Sequence, residues 1–508
     1  MSYVTQGLFA GVTSTQQSAA TKPSVSPERE QTETQPDPSV HLSLRVEQVS
    51  SATYAPPPSI PKQPEDWKPD AVSEQMQSNL AKEVRHKNAF EHLTHMLFNK
   101  IASGADSFEQ SISRFRTPLK QGGYAEQWVG GVRTASSNTP SQKLSFTLTT
   151  RSGATIRFDL TDQTSFGRTT EDSLTAKVSI KGDLSDAERA ALGEMASLME
   201  RLSGDFMRTG KVSLGQLQGF DSSLFSELKL DFSGNNNKYS LKLQESQNER
   251  SLSINWNGNK VDLTLDLQGN LLISAEAKAQ ALEHYLDLIR ESVNKSDGSP
   301  DLANFMADSF LTLHSLNEKE PTNGGAEKDQ LPNNTLLSGL QDFNAQFTSK
   351  ITKPNDHSEK HFEQQGFNLE LSQKTNLVGQ LPIELSLEQE QHYSLSASFY
   401  RPLWMLEVPD FKTQSYQYVE IEEQSSRRTL QRYEMGQWMS AVHGEQSSYK
   451  HRITEYQLGE ITRDDTKEDA WQKLSDLTEE VKQKTDSRQY LSLLENMLIT
   501  APTKRSRV

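Results

Sequence analysis

The sequence contains no cysteine among its 508 residues. This absence excludes disulfide bonds, thiolate catalysis and every zinc or iron–sulfur site that needs a cysteine ligand. It is typical of a protein that stays in a reducing cytoplasm, and equally of one that is exported through a narrow channel. Apolar residues are scarce as well, at 33%, and the mean hydropathy is −0.71. A chain this polar is expected to bury modest cores and to include disordered segments.

Basic residues are a minority, because 53 lysines and arginines stand against 68 acidic residues and the net charge is −15. A chain with this charge repels phosphate backbones unless a basic patch is concentrated somewhere, and the sequence has no such patch of useful size. Nucleic acid is therefore not an expected partner. The expected partner is another protein, whose identity the sequence does not indicate.

Long hydrophobic runs are also missing. The densest apolar cluster, Pro402–Leu406, is far shorter than the roughly 20 residues that span a bilayer. Met1–Ala20 lacks the basic and apolar regions of a cleaved secretory signal. The expected location is the cytoplasm, and the alternative is export without a cleaved signal peptide.

No motif of a known catalytic class is present: the sequence lacks GxSxG, HExxH, a phosphate loop, a dinucleotide fingerprint and an EF-hand loop. It therefore predicts no catalytic residue, no cofactor and no metal site, and it leaves open whether the protein is an enzyme. His92 and His95 have a spacing that could share a metal, but a solvated helix face is the favoured interpretation. The segment Gly204–Lys211 resembles a phosphate loop, yet it has one residue too many and closes a helix instead of opening one.

The stretch Gln142–Gln268 carries the main structural signal, which is a period of two. Apolar residues alternate with polar ones in seven segments, around Phe146, Phe158, Val178, Leu230, Leu241, Ile254 and Leu263. This period predicts strands with one buried face and one wet face, as in an antiparallel sheet. Asn257-Gly258 between two such segments favours a type I′ hairpin, since that turn needs positive φ at both central residues.

Helices are predicted beside this sheet. Ser185 followed by Glu188 indicates a capping box, and Gly210 is typical of a helix end. A second amphipathic helix is predicted over Ser274–Val293. The sheet has one apolar face and each helix has one apolar stripe, and both surfaces must be buried. We therefore expect the helices to pack on the sheet. The predicted fold class is α+β: an antiparallel one-faced sheet covered by helices, followed by a second strand-rich region and C-terminal helices.

The composition divides the chain into seven predicted segments. They are a disordered leader rich in Pro, Ser, Thr and Gln (1–70), a helical segment and loop (71–135), the α+β sheet domain (136–295), helices with a polar linker (296–358), a second β-rich region (359–462), amphipathic helices (463–500) and a basic tail (501–508). Within them, helical patterns are predicted over Ala71–Phe115, Thr335–Ile351 and Thr466–Glu479, and a loop over 116–141.

Aromatic residues concentrate between Phe399 and Trp438. They could line a carbohydrate groove or a partner surface, but the core of a polar-rich domain is the favoured interpretation.

One part of the sequence has a family resemblance. Its motifs are Lys181–Glu188, Leu198–Leu202 with Phe206, Gly219-Phe220-Asp221 and Leu228-Lys229-Leu230. Residues 140–235 thereby resemble an uncharacterised family of gammaproteobacterial proteins in which a β-hairpin precedes a "GDL, acidic helix, FD, LxLxF" core. The resemblance implies a bacterial origin and an α+β fold, and it implies no activity.

Two functions are compatible with these observations. The first is a non-enzymatic interaction or structural protein, which the missing catalytic motifs and the wide polar sheet favour. The alternative is a hydrolase of a polysaccharide or similar polymer that uses paired carboxylates. A cleft with two carboxylates roughly 5–10 Å apart would favour the hydrolase.

Overall fold

The computed structural model of this chain describes residues 60, 62–65, 67–82, 89–131, 141–165, 170–268, 275–316, 335–380, 383–403, 408–435, 437–484 and 487–502. Parts of four predictions concern residues outside these ranges, namely the leader up to residue 59, residues 317–334 of the polar linker, Trp404 in the aromatic-rich region and the tail from residue 503.

Strands of the described chain form a single antiparallel sheet of fifteen. They are β1 (Ser107–Pro118), β2 (Tyr124–Gly131), β3 (Gln142–Thr150), β4 (Thr155–Ser165), β5 (Thr170–Lys181), β6 (Phe225–Gly234), β7 (Asn237–Glu245), β8 (Glu249–Trp256), β9 (Asn259–Asp266), β10 (Phe343–Thr348), β11 (Gly366–Gln380), β12 (Glu384–Pro402), β13 (Tyr416–Glu434), β14 (Gln437–Gln457) and β15 (Glu460–Asp476). From β6 to β15 each strand pairs with the next along the chain. Beyond β6 the order is β3, β4, β5, β1 and β2.

Seven α-helices accompany the sheet in the described ranges. They are α1 (Ala71–Ala81), α2 (Leu93–Ala102), α3 (Asp186–Thr209), α4 (Ala275–Lys295), α5 (Pro300–Ser315), α6 (Thr478–Lys482) and α7 (Ser487–Met497). Short 3-10 helices span Leu214–Gly219 and Ser358–Lys360.

The local signals in the sequence are confirmed. The seven alternating segments are β3 to β9, and Asn257 and Gly258 have φ angles of 54° and 95°. Ser185 and Glu188 form the capping box that starts α3. Gly210 ends that helix with a φ of 71°. The α+β fold class is confirmed as well, since an antiparallel sheet carries helices and further helices follow at the C-terminus.

The main hydrophobic core lies between β3–β9 and the buried stripes of α1 to α5. Aromatic rings join the layers: Phe98 of α2 stacks on Phe158 of β4 with ring centroids 4.0 Å apart. Farther along the sheet, Tyr285 of α4 meets Phe343 of β10 edge to face at 5.1 Å. The core continues past β9, because the inner faces of β10 to β13 belong to the same cluster. The sheet therefore crosses the segment boundaries that the composition predicts at residues 295 and 358.

Two helical predictions are wrong, and a third is wrong in part. Residues 466–479 lie mostly in β15, where backbone pairing with β14 outweighs a helical spacing of apolar residues. Thr335–Ile351 contains β10, whose Phe343, Ala345 and Phe347 are buried at a period of two. The pattern predicted over Ala71–Phe115 gives the helices α1 and α2, but its last part is wrong because β1 begins at Ser107. The loop predicted over 116–141 is also wrong in part, since it contains the end of β1 and all of β2.

The end of the predicted leader is ordered against the sheet. Trp67 packs against the core, and Asp70 accepts a hydrogen bond from the Ser73 amide at 3.0 Å as the N-cap of α1. A Cβ on Gly130 of β2 would lie 2.3 Å from the Trp67 ring, so only glycine allows this contact. The leader predicted to reach residue 70 therefore extends too far.

We expect Gly130→Ala to lower the free energy of unfolding by about 1–3 kcal/mol, because the added methyl forces the Trp67 ring out of its place. Gly215→Ala is the matched control, since a Cβ there meets no atom within 4 Å. Urea denaturation followed by circular dichroism measures both. Equal midpoints for the two variants would contradict the packing of Trp67 on β2.

Candidate ligand-binding cleft

A cleft of about 840 Å³ opens between the end of α3, the 3-10 helix Leu214–Gly219 and α5. The local sequence explains its walls. Gly210 stops α3 in the left-handed region, the chain then turns into the 3-10 helix, and Ser299 caps α5 where that helix begins. The volume lies within the 300–1,000 Å³ range of small-molecule sites in proteins.

The floor of the cleft is a cross-strand pair, Tyr239 of β7 and Trp256 of β8. The Tyr239 side chain is 2% exposed, and burial raises the pKa of its phenol, which therefore stays a neutral donor. Neither the Tyr239 hydroxyl nor the Trp256 Nε1 has a hydrogen-bond partner among the described residues. A buried polar group without a partner costs about 1–3 kcal/mol. The folded chain therefore carries two unsatisfied donors at one cleft.

The indole of Trp256 is held from two sides. Phe305 of α5 meets it edge to face with ring centroids 5.2 Å apart, and the Lys211 ammonium lies 4.9 Å from the ring centroid. Lys211 also pairs with Asp301 at 3.0 Å. These contacts fix the position of the indole in the cleft wall.

Three carboxylates line the cleft, and two of them are engaged. Asp205 accepts hydrogen bonds of 2.8 Å from both Arg208 and Gln216. Asp301 is the partner of Lys211. Asp308 is exposed at the cleft, and partial desolvation by the walls raises the pKa of its carboxyl above the ordinary range. The Asp308 carboxyl is therefore more easily protonated than an ordinary aspartate carboxyl.

The segment Gly204–Lys211 closes α3, as the sequence predicts, and three of its charged side chains line the cleft. The sequence also predicted the position of two other residues of the site. The strand pattern placed Tyr239 and Trp256 on the buried face of neighbouring strands, but no local signal indicated that α5 would pass over them.

His92 and His95, whose spacing could share a metal, lie at the start of α2. The backbone amides of His92 and His95 donate to the Glu200 carboxylate at 2.8 and 3.1 Å, so Glu200 caps the start of α2. Across the described ranges, no three His, Asp or Glu side chains are placed to hold a metal ion together.

A second polar cluster surrounds Glu423 on the inner face of β13. Its carboxylate is buried and accepts hydrogen bonds from Lys295 at 2.9 and 3.0 Å, from His451 at 2.7 Å and from Tyr393 at 3.0 Å. Burial by itself would raise the pKa of Glu423, but these hydrogen bonds and the Lys295 charge bring the pKa below the ordinary range. The cluster joins α4 to β12, β13 and β14.

The aromatic-rich region is mostly buried. Tyr400, Tyr416 and Tyr418 pack with Tyr456 in one cluster, where Tyr416 donates a hydrogen bond to the buried Glu363 at 2.8 Å. Burial of these rings favours the core interpretation over an aromatic groove.

Comparisons with protein-family models, with curated proteins and with solved structures find no match for this chain. The resemblance of residues 140–235 to a gammaproteobacterial family stays a prediction. Among the described helices, none combines the length and apolar content that crossing a bilayer needs.

Proposed function

We propose that this protein is a non-enzymatic binding protein, and that the cleft beside α5 holds an uncharged, hydroxyl-rich ligand of the saccharide class. The observation that carries the proposal is the pair of buried, unpartnered donors at one cleft, the Tyr239 hydroxyl and the Trp256 indole N–H. Both atoms are buried in the free protein, so a ligand reaches them only if the side chains that cover them move apart. Acceptors on that ligand then remove the penalty that each group incurs in the free protein.

The chemistry of the walls supports a hydroxyl-rich ligand. Tyr239 and Trp256 need acceptors, whereas the Asp308 carboxylate needs donors and the amide of Asn304 can take either. A hydroxyl group both donates and accepts, so a ligand with several hydroxyls satisfies all of them. The charges of Asp301 and Lys211 pair with each other, as do those of Asp205 and Arg208. An uncharged ligand can therefore bind without breaking either of these two ion pairs.

Binding without catalysis is favoured because two of the three cleft carboxylates are already engaged by cations. Hydrolysis of a glycosidic bond needs one protonated carboxyl and one free carboxylate on opposite sides of the bond. Asp308 has the raised pKa of an acid, but Asp301 is paired with Lys211. The cleft thus has a candidate acid and no free carboxylate to act beside it.

Hydrolysis of a polysaccharide is kept as the second candidate, because the raised pKa of Asp308 is the property that a general acid needs. Asp301 and Asp308 are seven residues apart on α5, which is about 10.5 Å along the helix axis. Incubation of the protein with neutral polysaccharides, followed by measurement of reducing ends, decides between the two functions. Release of sugar that Asp308→Asn abolishes would replace our proposal with the hydrolase.

The binding prediction uses two tyrosines that each bury an unpartnered hydroxyl. Tyr239 lines the cleft, whereas Tyr285 is a buried residue of α4 and does not line it. We expect Tyr239→Phe to weaken saccharide binding about 3–10-fold, since one hydrogen bond to the ligand is lost. Tyr285→Phe is expected to leave the affinity unchanged. Both variants are expected to be as stable as the parent protein or slightly more stable, because each removes an unsatisfied hydroxyl.

A printed array of neutral oligosaccharides identifies the ligand, and isothermal titration with the best of them gives the three affinities. Absence of binding to every neutral oligosaccharide on the array would overturn the proposed ligand class. Equal weakening in Tyr239→Phe and Tyr285→Phe would place the ligand outside this cleft.

A further inference from the structure

The strand β15 differs from the rest of the sheet in its exposure. It pairs with β14 along one edge, and no strand of the described chain lies along its other edge. All 17 of its residues are exposed or half-buried, so no helix of the described chain covers either face. A free edge of this length presents a row of backbone donors and acceptors that another strand can pair with.

Side chains on the inner face of β15 alternate in charge. Arg463, Asp465, Lys467 and Asp469 follow one another at every second position, and they face Glu455, Ile453, His451 and Tyr449 of β14. This alternation is self-complementary. If two copies of β15 run antiparallel with Thr466 opposite Thr466, Arg463 lies opposite Asp469 and Asp465 lies opposite Lys467. A two-fold axis repeats each pair, which makes four pairs of opposite charge.

Neighbouring registers are disfavoured. Moving the centre to Lys467 places that lysine opposite its own copy and Asp465 opposite Asp469. Moving it to Asp465 places Arg463 opposite Lys467. Opposite charges across a strand pair contribute about 0.2–1 kcal/mol each, and like charges are destabilising. Centres at Asp464 and at Glu468 make two inner-face pairs of opposite charge each, against four for the centre at Thr466, so the Thr466 register is the one that charge favours most.

The outer face is compatible with the same register. Asp464 lies opposite Glu468 there, which by itself is unfavourable. However, Arg452 of β14 donates two hydrogen bonds to Asp464, at 2.9 and 2.8 Å, and compensates its charge.

We infer that β15 is a self-association surface, and that it pairs antiparallel with β15 of a second copy of this chain about a two-fold axis at Thr466. The two sheets then continue into each other, with their helix-bearing faces on the same side. This inference is independent of the ligand in the cleft.

The absence of cysteine makes the register directly measurable. Directly opposed residues in antiparallel strands have Cα atoms about 4.5–5.5 Å apart, which is within the range that a disulfide bridges. Thr466→Cys is therefore expected to form a covalent dimer under mild oxidation. Gln472→Cys is the matched control, since it lies exposed on the same face of the same strand and does not meet its own copy. Equal cross-linking of the two variants would overturn the register.

Charge variants test the pairing without a covalent bond. Sedimentation from about 1 µM to about 100 µM covers the expected range for a small interface. Lys467→Glu is expected to weaken dimerisation about tenfold or more, whereas Lys473→Glu, outside the paired stretch, is expected to leave it unchanged. The double variant Asp465→Lys/Lys467→Asp restores opposite charges and is expected to dimerise again. A chain that stays monomeric over the whole range would overturn the inference, and would mean that the edge charges prevent pairing.

Discussion

Replacing Phe98 by alanine is expected to lower the free energy of unfolding by about 3–5 kcal/mol. The side chain is fully buried at the point where α2 meets the sheet. It stacks on Phe158 at 4.0 Å and meets Phe146 edge to face at 6.0 Å. Alanine removes both aromatic contacts and leaves a cavity between two layers that cannot collapse freely, because α2 is also tied to α3 through Glu200.

Urea denaturation of the parent and the variant measures this loss, provided that the slope with denaturant stays the same. Phe362→Ala is the control, since that ring is 63% exposed. Its removal is expected to change the free energy of unfolding by less than about 0.5 kcal/mol. A Phe98 variant as stable as the Phe362 variant would contradict the packing of α2 on β3 and β4.

Glu423→Gln is the second change with a large expected effect, and it depends on pH. The substitution keeps the shape of the side chain but removes the charge that holds Lys295 and His451. Removing one partner of a buried ion pair costs about 3–5 kcal/mol. Because Lys295 and His451 are each about one-third exposed, we expect a smaller loss, about 1–3 kcal/mol at pH 7.

The direction of the pH dependence follows from the lowered pKa of Glu423. A carboxyl whose pKa is lower in the folded state than in the unfolded state stabilises the fold above its unfolded pKa. That contribution is lost as the pH falls through the folded pKa. The stability difference between the parent and Glu423→Gln should therefore be constant near neutral pH and should shrink below about pH 4.

Thermal unfolding at a series of pH values between neutral and acidic gives this difference. Glu422→Gln is the matched control, because Glu422 is the preceding residue and its side chain is exposed on the opposite face. It is expected to show almost no difference at any pH. A Glu423→Gln difference that persists unchanged in acid would mean that the carboxylate charge is not the stabilising element.

The elements of the sheet that the sequence predicts well are those with a clear period of two. Phe146, Leu230 and Ile254 are buried, as the pattern around each of them indicates. β1 was missed because it lacks this alternation: four consecutive residues from Gln110 to Ser113 are buried. Three of these four buried residues, Gln110, Ser111 and Ser113, are polar, so burial on both faces leaves no apolar period in the sequence at this stretch.

The cleft was less accessible to sequence reasoning than the sheet. The strand period predicted Tyr239 and Trp256 on the buried face, and Gly210 predicted the C-terminal end of α3. The third wall is α5, and its Phe305 reaches Trp256 from 49 positions farther along the chain. No pattern within either segment indicates that the two will meet, so the site appears only in the folded protein.

The sequence by itself determined the local structure of this protein: the strand period of β3 to β9, the capping box at Ser185, the left-handed glycine at Gly210 and the Asn257-Gly258 turn. Each depends on side chains within a few positions of one another, where backbone sterics and local hydrogen bonds decide the conformation. Only the tertiary structure decided that residues 466–476 form a strand, that α5 closes a cleft over Tyr239, and that β15 has a free edge. These outcomes depend on pairing and packing between distant segments, because the free energy of those contacts exceeds the weak local preference of each segment.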